Sequence, residues 1–238
     1  MSQTWTIAKK ELASFFDSLI AYILLIAFLG FTGFFTWMKG NGDIFFRKQA
    51  DLNVFFQTAM WTLFFFIPAI TMRMLAEEKK SGTLELLLTK NVSNRQIVSG
   101  KFLAAFLMVC IALAFTIIYY ISVSRLGNFD HGATIAGYIG LLLMSAAYIA
   151  IGLFTSSMTN NQIVAFLLAL IIGICFQFVF GILGSEMTGW MGDLFSTLSL
   201  TDHFTSIIRG VLDTKDIIYF LSITAIGIFF SEYMISKR

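Results

Sequence analysis

Two adjacent carboxylates, Glu77 and Glu78, sit in the most charged stretch of the chain, AITMRMLAEEKKSGTLELLLTKNVSNRQIVSGKFLA, residues 69–104. A close carboxylate pair can divide acid and base roles, because like charges held together push one proton affinity up. The same stretch suits two other tasks: a docking surface for a soluble partner, or a plain elbow between two apolar helices. Phosphoryl chemistry is not among its options. A phosphate-binding loop needs G-x-x-x-x-G-K-[ST], so that backbone amides and a lysine cradle the phosphates. Around Gly100-Lys101 the first glycine is replaced by Arg95 and the hydroxyl by Phe102. Any ATP, with its Mg, would have to be held by a partner, and this chain calls for no cofactor of its own.

The elements that must position these residues are membrane spans. The 238 residues are 58% hydrophobic and 13% charged, with 27 Phe and a single Pro, and the mean hydropathy is +0.82. A soluble domain of this size could not hide that much apolar surface. Stretches free of Asp, Glu, Lys and Arg place helices at about 18–38, 52–72 and 102–124, each near the roughly 20 residues a bilayer needs. Gly132–Ser185 has no such charge over 54 residues. It divides at the polar TSSMTNNQ of 155–162 into spans at about 133–154 and 163–184, and a sixth runs over 217–236. The expected fold is an all-α polytopic membrane protein, one domain over 1–238. Its charged loop covers 73–101 and its one sizeable loop on the other side covers 186–216. The first apolar run is too long, and lacks a small-residue cleavage site, for a removable leader.

Loop charge orients the spans. With the termini and the 73–101 and 155–162 loops on one side, that side holds ten of the sixteen basic residues, against six basic and eight acidic opposite. The positive-inside rule then puts both termini in the cytoplasm. The net charge of +2 offers no surface for nucleic acid. At the N-terminus Trp5, Ala8, Leu12, Phe15, Phe16 and Leu19 recur at helical spacing opposite Lys9, Lys10 and Glu11, the pattern of a helix lying in the lipid interface.

The span cores contain no Asp, Glu, Lys, Arg or His, so an ion-coupled carrier is disfavoured. Acid–base work is disfavoured too. Intramembrane glutamate proteases use E-E-x-x-x-R with histidines nearby, but position 82 is Gly, and His131 and His203 fall beside loops on the other side. Cys110 and Cys175 read as small apolar fillers. In the fifth span Ala169, Gly173, Gln177, Gly181 and Gly184 form a stripe of small residues with one amide, suited to close helix packing within the chain, to a subunit interface or to a substrate path. Gln57, Thr58 and Thr62 put polar groups in the second span, and Pro68 interrupts its hydrogen bonding to Phe64. Ser81-Gly82-Thr83 breaks the helix that continues from that span. Leu84, Leu87 and Leu88 then share one face of a short helix bearing Glu85, a fit for a groove on a soluble partner or for the membrane surface. Ser93-x-x-Gln96 is a capping box that opens the third span.

The 67–104 stretch resembles the signature loop of ABC-2 type permeases, the membrane subunits of a class of ATP-driven exporters. KKELASFFDSLIAYILL resembles that family's connecting helix and first span, and LSLTDHFTSIIRGVLDTKDIIYFLS its segment between the fifth and sixth spans. Within the family the chain resembles the permease subunit associated with bacterial gliding motility. The resemblance implies that Glu77, Glu78, Gly82, Thr83 and Glu85 occupy the E-E-x-x-x-G-T-x-E loop, that this loop is the coupling helix seated in a nucleotide-binding ATPase subunit, and that two permease protomers pair in the inner membrane. Leu19 and Asn91 stand where many members carry proline. A non-transporting membrane scaffold that anchors an ATPase is the other function class the residues allow.

Overall fold

The computed structural model describes residues 3–38, 50–84 and 92–237. Among them are six helices long and apolar enough to cross a membrane, and no strand. An all-helical answer follows from the solvent: in hydrocarbon every backbone polar group must be satisfied within its own segment. An N-terminal helix α1 (Gln3–Asp17) precedes the first span α2 (Leu19–Trp37). The second span is α3 (Asn53–Ser81), and the third is split into α4 (Asn94–Phe115) and α5 (Ile117–Ser124) at Thr116. The fourth is α6 (His131–Met158). The fifth comprises α7 (Gln162–Ile174), a π turn (Cys175–Val179) and α8 (Phe180–Glu186). A helical hairpin, α9 (Trp190–Leu198) and α10 (Leu200–Ile208), leads to the sixth span α11 (Thr214–Ser236).

The boundaries differ from the expected ones for a local reason. Helices α3 and α4 run on past the apolar stretches, so residues 73–81 and 94–101 are helical rather than loop. Lys79 and Lys80 fall in the last turn of α3, where cations suit the helix dipole. Gly82 ends α3 at φ 71°, a left-handed conformation that favours glycine. The box at Ser93 and Gln96 opens α4 with both of its reciprocal hydrogen bonds. The charged connection is thus shorter than 73–101, and its residues 85–91, with Glu85, Leu87, Leu88 and Asn91, lie outside the described residues.

Helix α6 is the central post. Its most apolar window is 78% buried, against 22% for the first, fifth and sixth spans, and α3, α7, α10 and α11 all pack on it. Small residues allow the close approach. A Cβ on Gly152 would lie 2.1 Å from Thr71 Oγ1, and one on Gly227 2.9 Å from the backbone carbon of Ala150. In lipid such contacts hold helices together without a hydrophobic drive. Gly227→Val should therefore cost about 1–3 kcal/mol through overpacking that backbone cannot relieve. Gly30→Ala, where nothing lies within 4 Å, should be neutral. Thermal unfolding in detergent compares the two.

Candidate functional site

The end of the bundle that carries α1, called here the basic end, holds a three-helix junction. Helix α1 lies along α4 because Gly100 has no side chain. A Cβ there would meet the Ile7 side chain at 2.8 Å and the Thr4 carbonyl at 3.0 Å. This docking buries Ala8 and Phe15 and turns Glu11 inward, whereas Trp5 and Leu19 stay exposed. The expected face is therefore divided: part of it packs on α4 rather than on lipid, and Glu11 lies on the packed side rather than opposite it.

The ammonium of Lys101 sits where the helices meet. It donates to Glu11 Oε1 at 3.0 Å and pairs with Glu78 Oε1 at 2.8 Å, with only 1% of its side chain exposed. Its four-carbon stem lies on the inner face of α4 with Ile97, Ala104 and Ala105. Two carboxylates for one ammonium leave the cluster negative, and Glu78 Oε2 is buried without a hydrogen-bond partner among the described residues. Nearby, the Arg73 guanidinium lies 5.2 Å from the centre of the Phe15 ring, a cation–π contact joining α3 to α1. A cleft of about 330 Å³ opens beside the cluster, lined by Lys10, Ser14, Arg73, Glu77, Ser81 and Thr83 among others.

A second connection ties this end of α3 to α6. The Ser156 hydroxyl accepts from the backbone N–H of Leu75 at 3.1 Å and of Ala76 at 3.0 Å, and donates to the Met72 carbonyl at 3.0 Å. A side chain inserted into a helix ladder is a recognised origin of bending. Lys79 Nζ donates to the Ser157 carbonyl in the same neighbourhood. One turn or more earlier, Pro68 lies inside α3, which continues through it, and the Thr71 hydroxyl donates to the Ile67 carbonyl at 2.9 Å.

The residues singled out from sequence divide as follows. Glu78 belongs to the buried cluster; Glu77, Gly82 and Thr83 are exposed beside it, and Thr83 Oγ1 lies 2.8 Å from Ser81 Oγ. Leu84, expected on the docking face, is 4% exposed and packs into its own core. The small-residue stripe is likewise occupied within the chain. A Cβ at Gly173 would meet Phe64 at 2.8 Å, one at Gly181 the Ser199 hydroxyl at 3.1 Å, and one at Gly184 the Ser196 backbone nitrogen at 2.8 Å. Gln177, 2% exposed, accepts from the Tyr148 hydroxyl, and its carbonyl accepts from Thr201 at 2.6 Å. Thr58 and Thr62 are half-buried and bonded within α3, and Gln57 is exposed. Sequence reasoning missed Glu11, Lys101 and Ser156. A helical register counted from the capping box would have found Lys101, because it places residue 101 on the same face as Ile97, Ala104 and Ala105. Ser156 gave no such signal.

Removing Lys101 would strand two largely covered carboxylates, each 17% exposed. Lys101→Met should destabilise by roughly 3–5 kcal/mol, and the triple variant Lys101→Met, Glu11→Gln, Glu78→Gln should recover most of that loss. Denaturant unfolding of the purified chain measures both.

The comparison with known families accords with this architecture. The family model described as ABC-2 family transporter protein matches residues 5–231, from α1 through most of the sixth span. No curated protein matches the chain. The match spans nearly the whole length, and the chain therefore belongs to the ABC-2 transporter family, as the membrane permease component of an ABC transporter whose ATPase is a separate subunit.

Proposed function

We propose that the basic end is the face that receives the ATPase and that the chain converts the ATPase's motion into export or other envelope work. The observation that supports this reading is the Glu11–Lys101–Glu78 cluster, which clasps α1 to α3 and α4, the two helices that flank residues 85–91 in the sequence. A push on that segment would move a rigid unit rather than bend a single helix. Glu85, Leu87 and Leu88 form the docking element, with Glu77, Gly82 and Thr83 at its base. Glu78 is structural. Pro68 and the Ser156 contact mark the hinge through which movement reaches the rest of α3. ATP and Mg remain on the ATPase, and this chain catalyses nothing.

In this reading both termini are cytoplasmic, the membrane is the bacterial inner membrane, and a second permease protomer, identical or related, completes the unit. The surface for that protomer is the exposed face of α3, where Gln57 recurs with Trp61 and Phe65, 43% and 48% exposed. An amide presented to lipid gains by finding a partner. The resemblance to the gliding-motility subunit supports envelope work as the output.

Orientation is tested by single cysteines in intact cells. Those at Ser2, Ser81 and Ser236 should resist an impermeant thiol reagent, and one at Asn128 should react; labelling at 81 from outside overturns the orientation. Coupling is tested by Leu87→Asp, which should leave insertion intact yet lower the ATPase that copurifies by tenfold or more, since burying an apolar side chain contributes about 1.5–3 kcal/mol. Full copurification with normal stimulated ATPase activity would reassign the docking element. A cysteine at Gln57 should cross-link paired protomers. Gly173→Leu should instead lower the stability of the single chain, by collision with Phe64.

A further inference from the structure

At the far end of the bundle, opposite Lys101, a second buried charge cluster holds the α9–α10 hairpin to the sixth span. His203 on α10 is 8% exposed and Asp216 in the first turn of α11 is 1% exposed. His203 Nδ1 lies 2.6 Å from Asp216 Oδ1, and Nε2 lies 2.9 Å from the carbonyl oxygen of Thr197. The ring stacks on Tyr219 at 4.0 Å between centres, and the Tyr219 hydroxyl donates to the Leu198 carbonyl. The corner between α9 and α10 is thus bound to the ring of His203 and to α11 together.

The chemistry of the two partners decides the state of the ring. A carboxylate oxygen and a backbone carbonyl are both acceptors, whereas a neutral imidazole has one donor and one acceptor nitrogen. With Asp216 ionised, either neutral tautomer would set a ring lone pair against an oxygen lone pair at hydrogen-bond distance. Only the imidazolium donates at both ends. The alternative, a protonated Asp216 with a neutral ring, forgoes the charge-assisted bond, and the 2.6 Å contact is of the short kind that a charged pair makes.

Among the described residues no Lys or Arg is paired with Asp216 or His203. Around the ring stand Asp216, Tyr219 and Phe220 of α11, while Asp202 of its own helix and Tyr148 of α6 lie within electrostatic reach of Tyr219. Lys215 is turned to Asp213 at 3.4 Å and is largely exposed. The backbone N–H of Lys215, donated to Asp213, holds that exposed carboxyl below the usual carboxylate range. Asp193 on α9 is exposed.

We infer that His203, Asp216 and the Thr197 carbonyl form a proton-binding site, and that the bound proton fastens the α9–α10 hairpin to the sixth span. The sign follows from linkage. The fastened state holds a proton that the released state gives up, so fastening is complete at low pH and is lost as pH rises through the ionisation of the imidazolium. That the site meets the outside medium rests on the orientation proposed above; its protonation does not.

The test uses the full-length chain in lipid nanodiscs. With ¹⁵N-histidine and His131→Gln, one imidazole signal remains. At neutral pH both ring nitrogens should show the protonated shift, and a neutral tautomer overturns the proposal whatever the orientation. Hydrogen exchange of the 199–208 amides, corrected for intrinsic base catalysis, should rise roughly tenfold or more as the ring deprotonates, the loss of one charge-assisted hydrogen bond. Asp216→Asn should abolish that step and Lys215→Gln should keep it. A wild-type hairpin whose corrected exchange is flat while the ring titrates also overturns the proposal, since the proton would then fasten nothing.

Discussion

An ammonium group sealed from water needs counter-charges held in place, and that constraint organises the basic end. Lys101 cannot sit at 1% exposure on α4 unless carboxylates reach it, and one comes from α1 and the other from α3. The demand reaches back to individual residues. Gly100 must be small so that α1 can lie close enough for Glu11 to arrive. Helix α3 must continue at least six residues beyond the expected end of its span, at Met72, for Glu78 to arrive from the other side. Desolvation penalties of this kind are recovered only with good geometry, so the three helices are either seated together or not at all. Under the coupling proposed above, such a joint would transmit displacement that a soft apolar contact would absorb.

Much of the fold was legible because membrane solvent leaves few options. Charge-free stretches marked five spans and a sixth followed over 217–236 with Glu232 near its end, against six helices long and apolar enough to cross a membrane. The break at Gly82 marked the end of α3 and the capping box at Ser93 the start of α4 from their chemistry alone. The misplaced boundaries share a cause. Helices do not stop where hydrophobicity stops, and charged turns of α3 and α4 remain helical once they pair across to neighbours. Glu11 was assigned to the polar side of α1 because periodicity treats every charge as seeking water; it could not register that Lys101 offers a better partner. The stripe in the fifth span suited packing within the chain, a subunit interface or a substrate path alike from sequence, and the atoms that meet it, from Phe64, Ser196 and Ser199, come from elements that no local pattern connects to it.

The two ends of the molecule solve the same problem with different ions. One uses a lysine between two glutamates, the other a histidine between an aspartate and a carbonyl. The span cores between them hold only neutral polar groups, such as Gln177, Tyr148 and Ser145. The charges therefore lie where water and lipid headgroups can share the burden during synthesis and insertion, and they become buried only as the surrounding helices arrive.

The π turn at Cys175–Val179 has a consequence for how the fifth span reads as a code. Residues four apart on an α-helix drift by about 40° at each step, so a strict four-residue repeat would wind off any single facing surface within a few turns. The wider turn at 175–179 takes up that drift. It lets Gly173 face Phe64 of α3 while Gly181 and Gly184, further along, still meet the hairpin at Ser199 and Ser196. The phase of the span is therefore set by the number of residues in one turn and not by which residues they are. A π turn carries one residue more than an α turn, so loss of a single residue there can be met by closing the turn to α with the outer third of the helix kept in place, whereas a loss elsewhere in the span would rotate that third away from what it touches.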